Sequence, residues 1–101
     1  MIEIGSKIIV RSSPSGCWYG TLSAREGDVV TLTEARRLWR WWAAAGVSLS
    51  GVAAVGLKTE KLSECGIAPP VTQAIIFQVC EILEANPLAQ RSIESAPVNP
   101  S

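Results

Sequence analysis

The sequence predicts a small α+β fold, in which an antiparallel β-meander of about four strands is accompanied by two short helices. Three observations predict it: short β-branched segments, glycine- and proline-containing turns between them, and two later segments with helix-capping residues. The 101 residues are enough for one domain with a modest core, so we treat 1–101 as a single unit. Self-association would stabilise such a small core, and we expect a homo-oligomer.

The N-terminal part predicts three consecutive antiparallel strands. Lys7–Arg11 and Cys17–Leu22 form the first two, joined by a proline–glycine turn. Gly20, within the second strand, predicts a bulge or a close approach of two backbones. The third strand would run from Val29 to Trp41, which is long for a strand, so we expect a bend or bulge near Ala35.

The C-terminal part predicts two helices and one more strand. Ser48 has the character of an N-cap, and Gly56 stands where a glycine commonly follows a helix. Asn86 followed by Pro87 is typical of a second helix start. Thr72–Leu83 is apolar and β-branched, and we predict a strand covered on both faces, although its pattern also fits a helix.

The composition argues against catalysis. The sequence has no histidine, the commonest general base and a common metal ligand. Cys17, Cys65 and Cys80 are widely spaced, which argues against a zinc site or a disulfide framework and favours buried thiols in a reducing cytosol. We therefore expect no catalytic residue, no metal and no cofactor, and predict that the chain is not an enzyme.

The charge pattern favours a local anion site. Nine basic and nine acidic residues cancel, so polymeric nucleic acid, which needs a broad basic field, is not an expected partner. Residues 1–42 are nevertheless net positive and residues 43–101 net negative. We see no secretory signal, and no apolar run is long enough to span a membrane, so we expect no membrane partner.

The most unusual segment is 36–42, where three arginines and three tryptophans occupy six of the seven positions. Alternation along a strand would place Arg37, Trp39 and Trp41 on one face, and Arg36, Leu38, Arg40 and Trp42 on the other. Guanidinium groups bind phosphate and indoles stack on flat rings, so either face is a candidate ligand site. The alternative is that the indoles belong to the core or to an interface, with the arginines covering them.

Three further residues are candidates for the same ligand. Arg11 and Trp18 lie across the first predicted hairpin from each other and could join one surface. Arg91, in the second predicted helix, is the only basic residue after Lys61. An isolated helical arginine is more commonly a solvated side chain.

The order and spacing of several short motifs resemble a known family. The motifs are Val10-Arg11, Ser15-Gly16, Gly20-Thr21-Leu22, Ala35-Arg36-Arg37-Leu38-Trp39 with Trp41, Ser48-Leu49-Ser50 with Ala53, Glu81-Ile82, and Ser92-Ile93 before Pro97-Val98. In this pattern the chain resembles the first-described family of phage anti-Thoeris proteins, which are cyclic-nucleotide sponges. It departs from that family at Trp42-Ala43, where members carry an acidic residue and a glycine, and at Gly66-Ile67, where members carry a lysine–aromatic pair.

The resemblance implies a protein made in the cytoplasm of an infected bacterial host. Such proteins sequester glycocyclic ADP-ribose without degrading it, so that the Thoeris effector stays inactive, and some also bind cyclic di- and trinucleotides of CBASS defence. They assemble as dimers and as hexamers built from dimers, with pockets between subunits. The expected ligand-binding residues are Arg11, Trp18, Arg36, Arg37, Trp39, Trp41 and Arg91.

Two other functions compete with this interpretation. The chain could be a small β-rich adaptor whose tryptophan cluster contacts a protein partner. It could also be a phosphodiesterase that cleaves such messengers, but the absence of histidine from the sequence argues against this.

Overall fold

The structure is a computed structural model, and it describes residues 2–100. The elements follow in the order β1 (Lys7–Ser12), β2 (Gly16–Glu26), β3 (Val29–Arg40), α1 (Leu49–Val55), a 3-10 helix (Thr59–Glu64), β4 (Gly66–Ile67), β5 (Val71–Ile76), β6 (Val79–Glu84) and α2 (Pro87–Ser95). The predicted antiparallel sheet with few short helices is confirmed. The expectation of about four strands is wrong, because the described residues form six.

The sheet curls because its two edges are joined by a very short connection. The strand order is β4-β3-β2-β1-β6, and β5 pairs with the first half of β3 beside β4. Only Phe77 and Gln78 separate β5 from β6, which lies at the opposite edge. The three Cα–Cα steps from Ile76, the end of β5, to Val79, the start of β6, span at most about 11 Å. The two edges of the sheet therefore approach each other at this corner. The result is a curled sheet in which β5 and β6 meet at one corner without pairing.

The segment predicted as one covered strand is instead divided into β5 and β6. Gln78 adopts a left-handed conformation with φ of 54°, which ends the extended run. Val71 and Ile75 on β5 are 42% and 52% exposed. The prediction of a strand covered on both faces is therefore wrong, because β5 lies at an edge of the sheet.

The long third strand contains the predicted irregularity. Glu34 has a φ of 49°, and here β3 has one residue more than β2 between consecutive paired positions. Gly20 lies opposite, where an added Cβ would come within 3.1 Å of the Thr33 carbonyl oxygen. The bulge predicted near Ala35 and the close backbone approach predicted at Gly20 are both confirmed.

Two apolar cores lie on opposite faces of the sheet. One is inside the curled sheet and includes Ile8, Val10 and Leu32. The other lies between the sheet and the two helices and includes Leu38 and Ile93. Burial on both faces explains why consecutive residues of β1 are apolar.

Both predicted helices are confirmed, including their first turns. The Ser48 hydroxyl accepts a hydrogen bond from the Gly51 amide at 3.1 Å, and the Asn86 side chain accepts one from the Ala89 amide at 3.0 Å. Across residues 2–100, no helix combines the length and the apolarity needed to cross a membrane.

Candidate functional site

Arg36 is a buried cation held entirely by backbone carbonyls. Its Nε donates to the Ala68 carbonyl at 2.8 Å, and its terminal nitrogens donate to the carbonyls of Ile93 at 2.8 Å, Ala96 at 3.2 Å and Ile67 at 3.2 Å. The side chain is only 6% exposed, and burial lowers its pKa. Four hydrogen bonds occupy most of the five guanidinium N–H groups, so this arginine joins β3 to α2 and to the segment before β5.

Arg37 points to the opposite face of β3 and meets Trp18. The two residues are paired across β2 and β3, and the Arg37 guanidinium carbon lies 4.6 Å from the centroid of the Trp18 ring. The indole is itself fixed, because its Nε1 donates to the Ser15 carbonyl at 2.9 Å. Arg37 is exposed, and within residues 2–100 its guanidinium has no hydrogen bond or ion pair. The pair therefore combines a free cation with a rigid aromatic ring.

Arg11 does not join the Trp18 surface. Arg11 is paired with Cys17 and Trp18 with Val10, and adjacent positions of a strand point to opposite faces. The Arg11 guanidinium also forms an ion pair of 3.1 Å with Glu81 on β6. The prediction that Arg11 and Trp18 share one surface is therefore wrong.

Trp39 belongs to a different group, because the alternation of faces breaks at its position. The register between β3 and β4 shifts between Leu38 and Arg40, and the Trp39 ring covers Gly66, where a Cβ would approach within 2.3 Å. The Arg40 guanidinium lies 5.2 Å from the Trp39 ring and 5.3 Å from the Trp42 ring. The predicted separation of Trp39 from Arg40 and Trp42 is therefore wrong.

Trp41 and Arg91 each stand apart from these groups. Trp41 packs against the core below the helices, and its Nε1 donates to the Val47 carbonyl at 3.3 Å. Arg91 is an exposed residue of α2 with no hydrogen bond or ion pair among residues 2–100. Within one copy of the chain, the seven predicted ligand residues thus divide among several surfaces, and of these seven only Trp18 and Arg37 form a direct ring contact.

A cavity of about 450 Å³ lies between α2 and the strands, in a place that the sequence did not indicate. Its walls include Lys7, Tyr19, Glu34, Arg36 and Glu94. The Glu94 carboxylate accepts hydrogen bonds from Lys7 Nζ at 2.6 Å and from the Tyr19 hydroxyl at 2.5 Å. Tyr19 and Glu94 are 75 positions apart, so no local motif could have brought them together in a sequence-based prediction.

These contacts shift the pKa values of the carboxyl and the phenol in opposite directions. Partial burial raises the pKa of Glu94, but hydrogen bonds from Lys7 and Tyr19 and the charge of Lys7 outweigh it, so the net pKa is lowered. Burial, followed by the bond to Glu94 and its charge, raises the pKa of Tyr19. The phenol therefore remains a hydrogen-bond donor at neutral pH.

The three cysteines differ in burial, and the described cysteine and acidic side chains form no metal centre. Cys17 and Cys65 are buried, whereas Cys80 is exposed, contrary to the expectation of buried thiols. Burial raises the pKa of Cys17 against the lowering effect of Arg11, which makes its thiol a poor nucleophile. Among residues 2–100, no three cysteine or carboxylate side chains converge as metal ligands would.

We predict that Arg36→Met lowers the free energy of unfolding by at least about 3 kcal/mol, because four buried carbonyls lose a charged donor. Arg36→Lys should give a smaller loss than Arg36→Met, since an ammonium keeps the charge and some of the donors, although it cannot span all four carbonyls. Arg37→Met serves as the matched control and should change stability by only about 0.5 kcal/mol. Urea unfolding followed by tryptophan fluorescence measures all three, and equal losses at positions 36 and 37 would contradict the structural role of Arg36.

We also predict that acid weakens the fold partly through Glu94. The pKa of Glu94 is lower in the folded state than in the unfolded state. The contribution of Glu94 to the free energy of unfolding is therefore fully present above the unfolded-state pKa of about 4.5, and it is lost as the pH falls through the folded-state pKa. Tyr19→Phe removes one hydrogen bond that lowers this pKa. The variant should therefore show a smaller change in urea midpoint between pH 7 and strongly acidic pH than the wild type. An unchanged pH profile would show that this bond does not tune Glu94.

The comparisons with known proteins place the chain in a family without assigning it an activity. A family model described as a domain of unknown function, DUF6948, matches residues 5–93. Searches of curated proteins and of solved structures found no match. Because the family match spans most of the chain, this protein belongs to the DUF6948 family.

Proposed function

We propose that this protein is a non-catalytic sponge that binds and sequesters a cyclic-nucleotide messenger, with glycocyclic ADP-ribose as the first candidate. The observation that carries the proposal is the pairing of an exposed Arg37 guanidinium with the fixed Trp18 indole at 4.6 Å. As such a sponge, the protein would act in the cytoplasm of an infected bacterium and keep the Thoeris effector inactive. Cyclic di- and trinucleotides of CBASS defence are further candidate ligands.

The chemistry of the Trp18–Arg37 pair matches both parts of such a ligand. The edge of a guanidinium donates paired hydrogen bonds to phosphate oxygens, and its plane stacks on nucleobases. The indole beneath it is held by the 2.9 Å bond to the Ser15 carbonyl, so little side-chain freedom remains to be lost on binding. Binding without cleavage also agrees with the pKa of the Cys17 thiol, which burial raises, and with the lack of histidine in the sequence.

Sequestration works by mass action and needs no turnover. A site with a nanomolar Kd corresponds to about −12 kcal/mol and empties a signal pool once the protein exceeds the signal. A cyclic dinucleotide has two phosphates and at least one flat ring, more than one exposed Arg–Trp pair can engage. A second copy of the chain would supply the remaining contacts, as the resemblance to the sponge family implies.

We further propose that copies associate through β5. Its outward side chains Val71 and Ile75 are 42% and 52% exposed, and the following Phe77 is 56% exposed. Residues 71–78 contain no charged side chain, although exposed edge strands commonly carry charges that prevent pairing. Antiparallel pairing of β5 with β5 of a second copy would pair the backbone groups of the two edges and set these apolar side chains beside one another, without bringing like charges together.

The same exposed strand is the best argument for the alternative function, a protein-interaction adaptor. A tryptophan-based interface is less favoured, since the indole N–H groups of Trp18, Trp39 and Trp41 already donate to carbonyls of the same chain. An adaptor would bind a protein through β5 and would show no affinity for cyclic nucleotides. The two functions therefore differ in a direct binding measurement.

Calorimetry with glycocyclic ADP-ribose and with cyclic di- and trinucleotides tests the sponge. We expect at least one ligand to bind below the micromolar range and to be recovered intact by mass spectrometry after the complex is denatured. Arg37→Gln should weaken binding by about 1.5–3 kcal/mol, since a phosphate loses a charged donor. Arg25→Gln, at another exposed arginine, is the matched control. Cleaved ligand, or no binding to any of these messengers, would rule the sponge out.

Sedimentation measurements test the association through β5. Wild-type protein should exceed the 10.8 kDa mass of one chain, with a dimer or a hexamer built from dimers as the expected species. Ile75→Lys should shift it towards the monomer, because it places a like charge on each copy of the paired strand. Val47→Lys is the control, at a valine that is 90% exposed outside the sheet. A monomeric wild type, or equal effects of both substitutions, would contradict this interface.

A further inference from the structure

A second cation–aromatic group lies at the end of β3, and we name it the Arg40 cluster: Trp39, Arg40, Trp42 and Lys61. The Arg40 guanidinium lies 5.2 Å from the centroid of Trp39 and 5.3 Å from that of Trp42. The Lys61 ammonium lies 5.9 Å from the centroid of Trp42. Both cations therefore contact the Trp42 indole, and Arg40 also contacts the Trp39 indole.

The guanidinium of Arg40 is unusually well fixed for an exposed arginine. Its Nε donates to the Glu64 backbone carbonyl at 2.9 Å, and the two indoles contact the same group. Trp39 is itself held, because its Nε1 donates to the Asn99 carbonyl at 2.8 Å and its ring covers Gly66. The position of the cation is thus set before any ligand arrives, which reduces the entropy lost on binding.

The part of Arg40 that recognises anions is left open. Among residues 2–100, Nε makes the only hydrogen bond of this guanidinium, and both terminal nitrogens lack a protein partner. A guanidinium with two open terminal nitrogens has the geometry for two parallel hydrogen bonds to an oxyanion.

The open donors of the Arg40 cluster favour an anion with several acceptor oxygens. Lys61 forms an ion pair of 3.2 Å with Glu64, and with Arg40 these side chains carry one net positive charge. Lys61 uses only part of its donor capacity in that pair. A phosphate monoester carries a charge of about −1.5 to −2 at pH 7 and has three acceptor oxygens, so it could interact with both cations at once.

We propose that the Arg40 cluster is a binding site for the phosphate group of a phosphomonoester, separate from the Trp18–Arg37 pair. The two sites have different neighbours, since Arg37 lies over β2 whereas Arg40 contacts the 3-10 helix and the segment after β3. The proposal does not depend on the cyclic-nucleotide function, because cyclic dinucleotides carry phosphodiesters rather than terminal phosphates.

Nuclear magnetic resonance of the ¹⁵N-labelled protein can test the site, with the four indole N–H signals as reporters. Inorganic phosphate and a simple phosphomonoester, glycerol phosphate, are titrated at constant ionic strength with chloride as the balancing anion. We expect both to shift the signals of Trp39 and Trp42 in the wild type. Acetate, which offers one negative charge, should bind at least about tenfold more weakly.

Two matched variants separate this site from the proposed messenger site. Arg40→Gln removes the cation at an exposed position and should weaken phosphate binding at least about tenfold. Arg37→Gln should leave the phosphate-induced shifts of Trp39 and Trp42 unchanged while impairing cyclic-nucleotide binding. An unshifted Trp18 indole signal in the unliganded Arg40→Gln protein verifies that its fold is retained, because Trp18 contacts Arg37 and Ser15 rather than Arg40.

Three results would overturn the proposal. One is the absence of any shift at tens of millimolar phosphate beyond that caused by chloride. Another is equal affinity for acetate and phosphate, which would indicate a general anion surface. The third is undiminished phosphate binding by Arg40→Gln. If Arg37→Gln alone abolished the shifts, the phosphate would bind at the Trp18–Arg37 pair instead.

Discussion

The guanidinium of Arg36 ties together parts of the chain that are far apart in sequence. Its hydrogen bonds reach Ile67 and Ala68 beside β4, and Ile93 and Ala96 at the end of α2. A cation at the C-terminal end of a helix also complements the helix dipole. Among residues 2–100, no carboxylate forms an ion pair with this guanidinium, and backbone carbonyls offset its desolvation. Much of the remaining structure depends on this interaction, because it holds α2 against the sheet.

One consequence of burying Arg36 is that Arg37 must face the other way. Successive residues of a strand alternate sides, so an inward Arg36 fixes an outward Arg37, which then meets Trp18 on the neighbouring strand. The bulge at Glu34 decides which residue takes each role, since it shifts the alternation of β3 by one position. The candidate binding surface and the structural cation are therefore two outcomes of one backbone irregularity.

A second irregularity divides the arginine- and tryptophan-rich segment into separate surfaces. Between Leu38 and Arg40 the pairing with β4 shifts, and β3 ends at Arg40. Trp39 then covers Gly66 while Trp42 turns back towards Arg40. A run that looks like a single site in the sequence thus supplies three separate features. They are the buried cation of Arg36, the contact of Arg37 with Trp18 on β2, and the Arg40 cluster at the sheet edge. Each arginine has a different role because each has different neighbours.

The sequence alone determined the elements whose signals are local. Ser48, Gly56, Asn86 and Pro87 marked both helices, and Gly20 marked the close approach in the sheet, because capping and steric effects act within a few residues or on one Cβ. Only the tertiary structure decided that β5 and β6 are separate edge strands, that Arg36 is buried, and that Tyr19 meets Glu94. These features depend on strand pairing and on contacts between residues dozens of positions apart, and such contacts leave no periodic pattern in the chain.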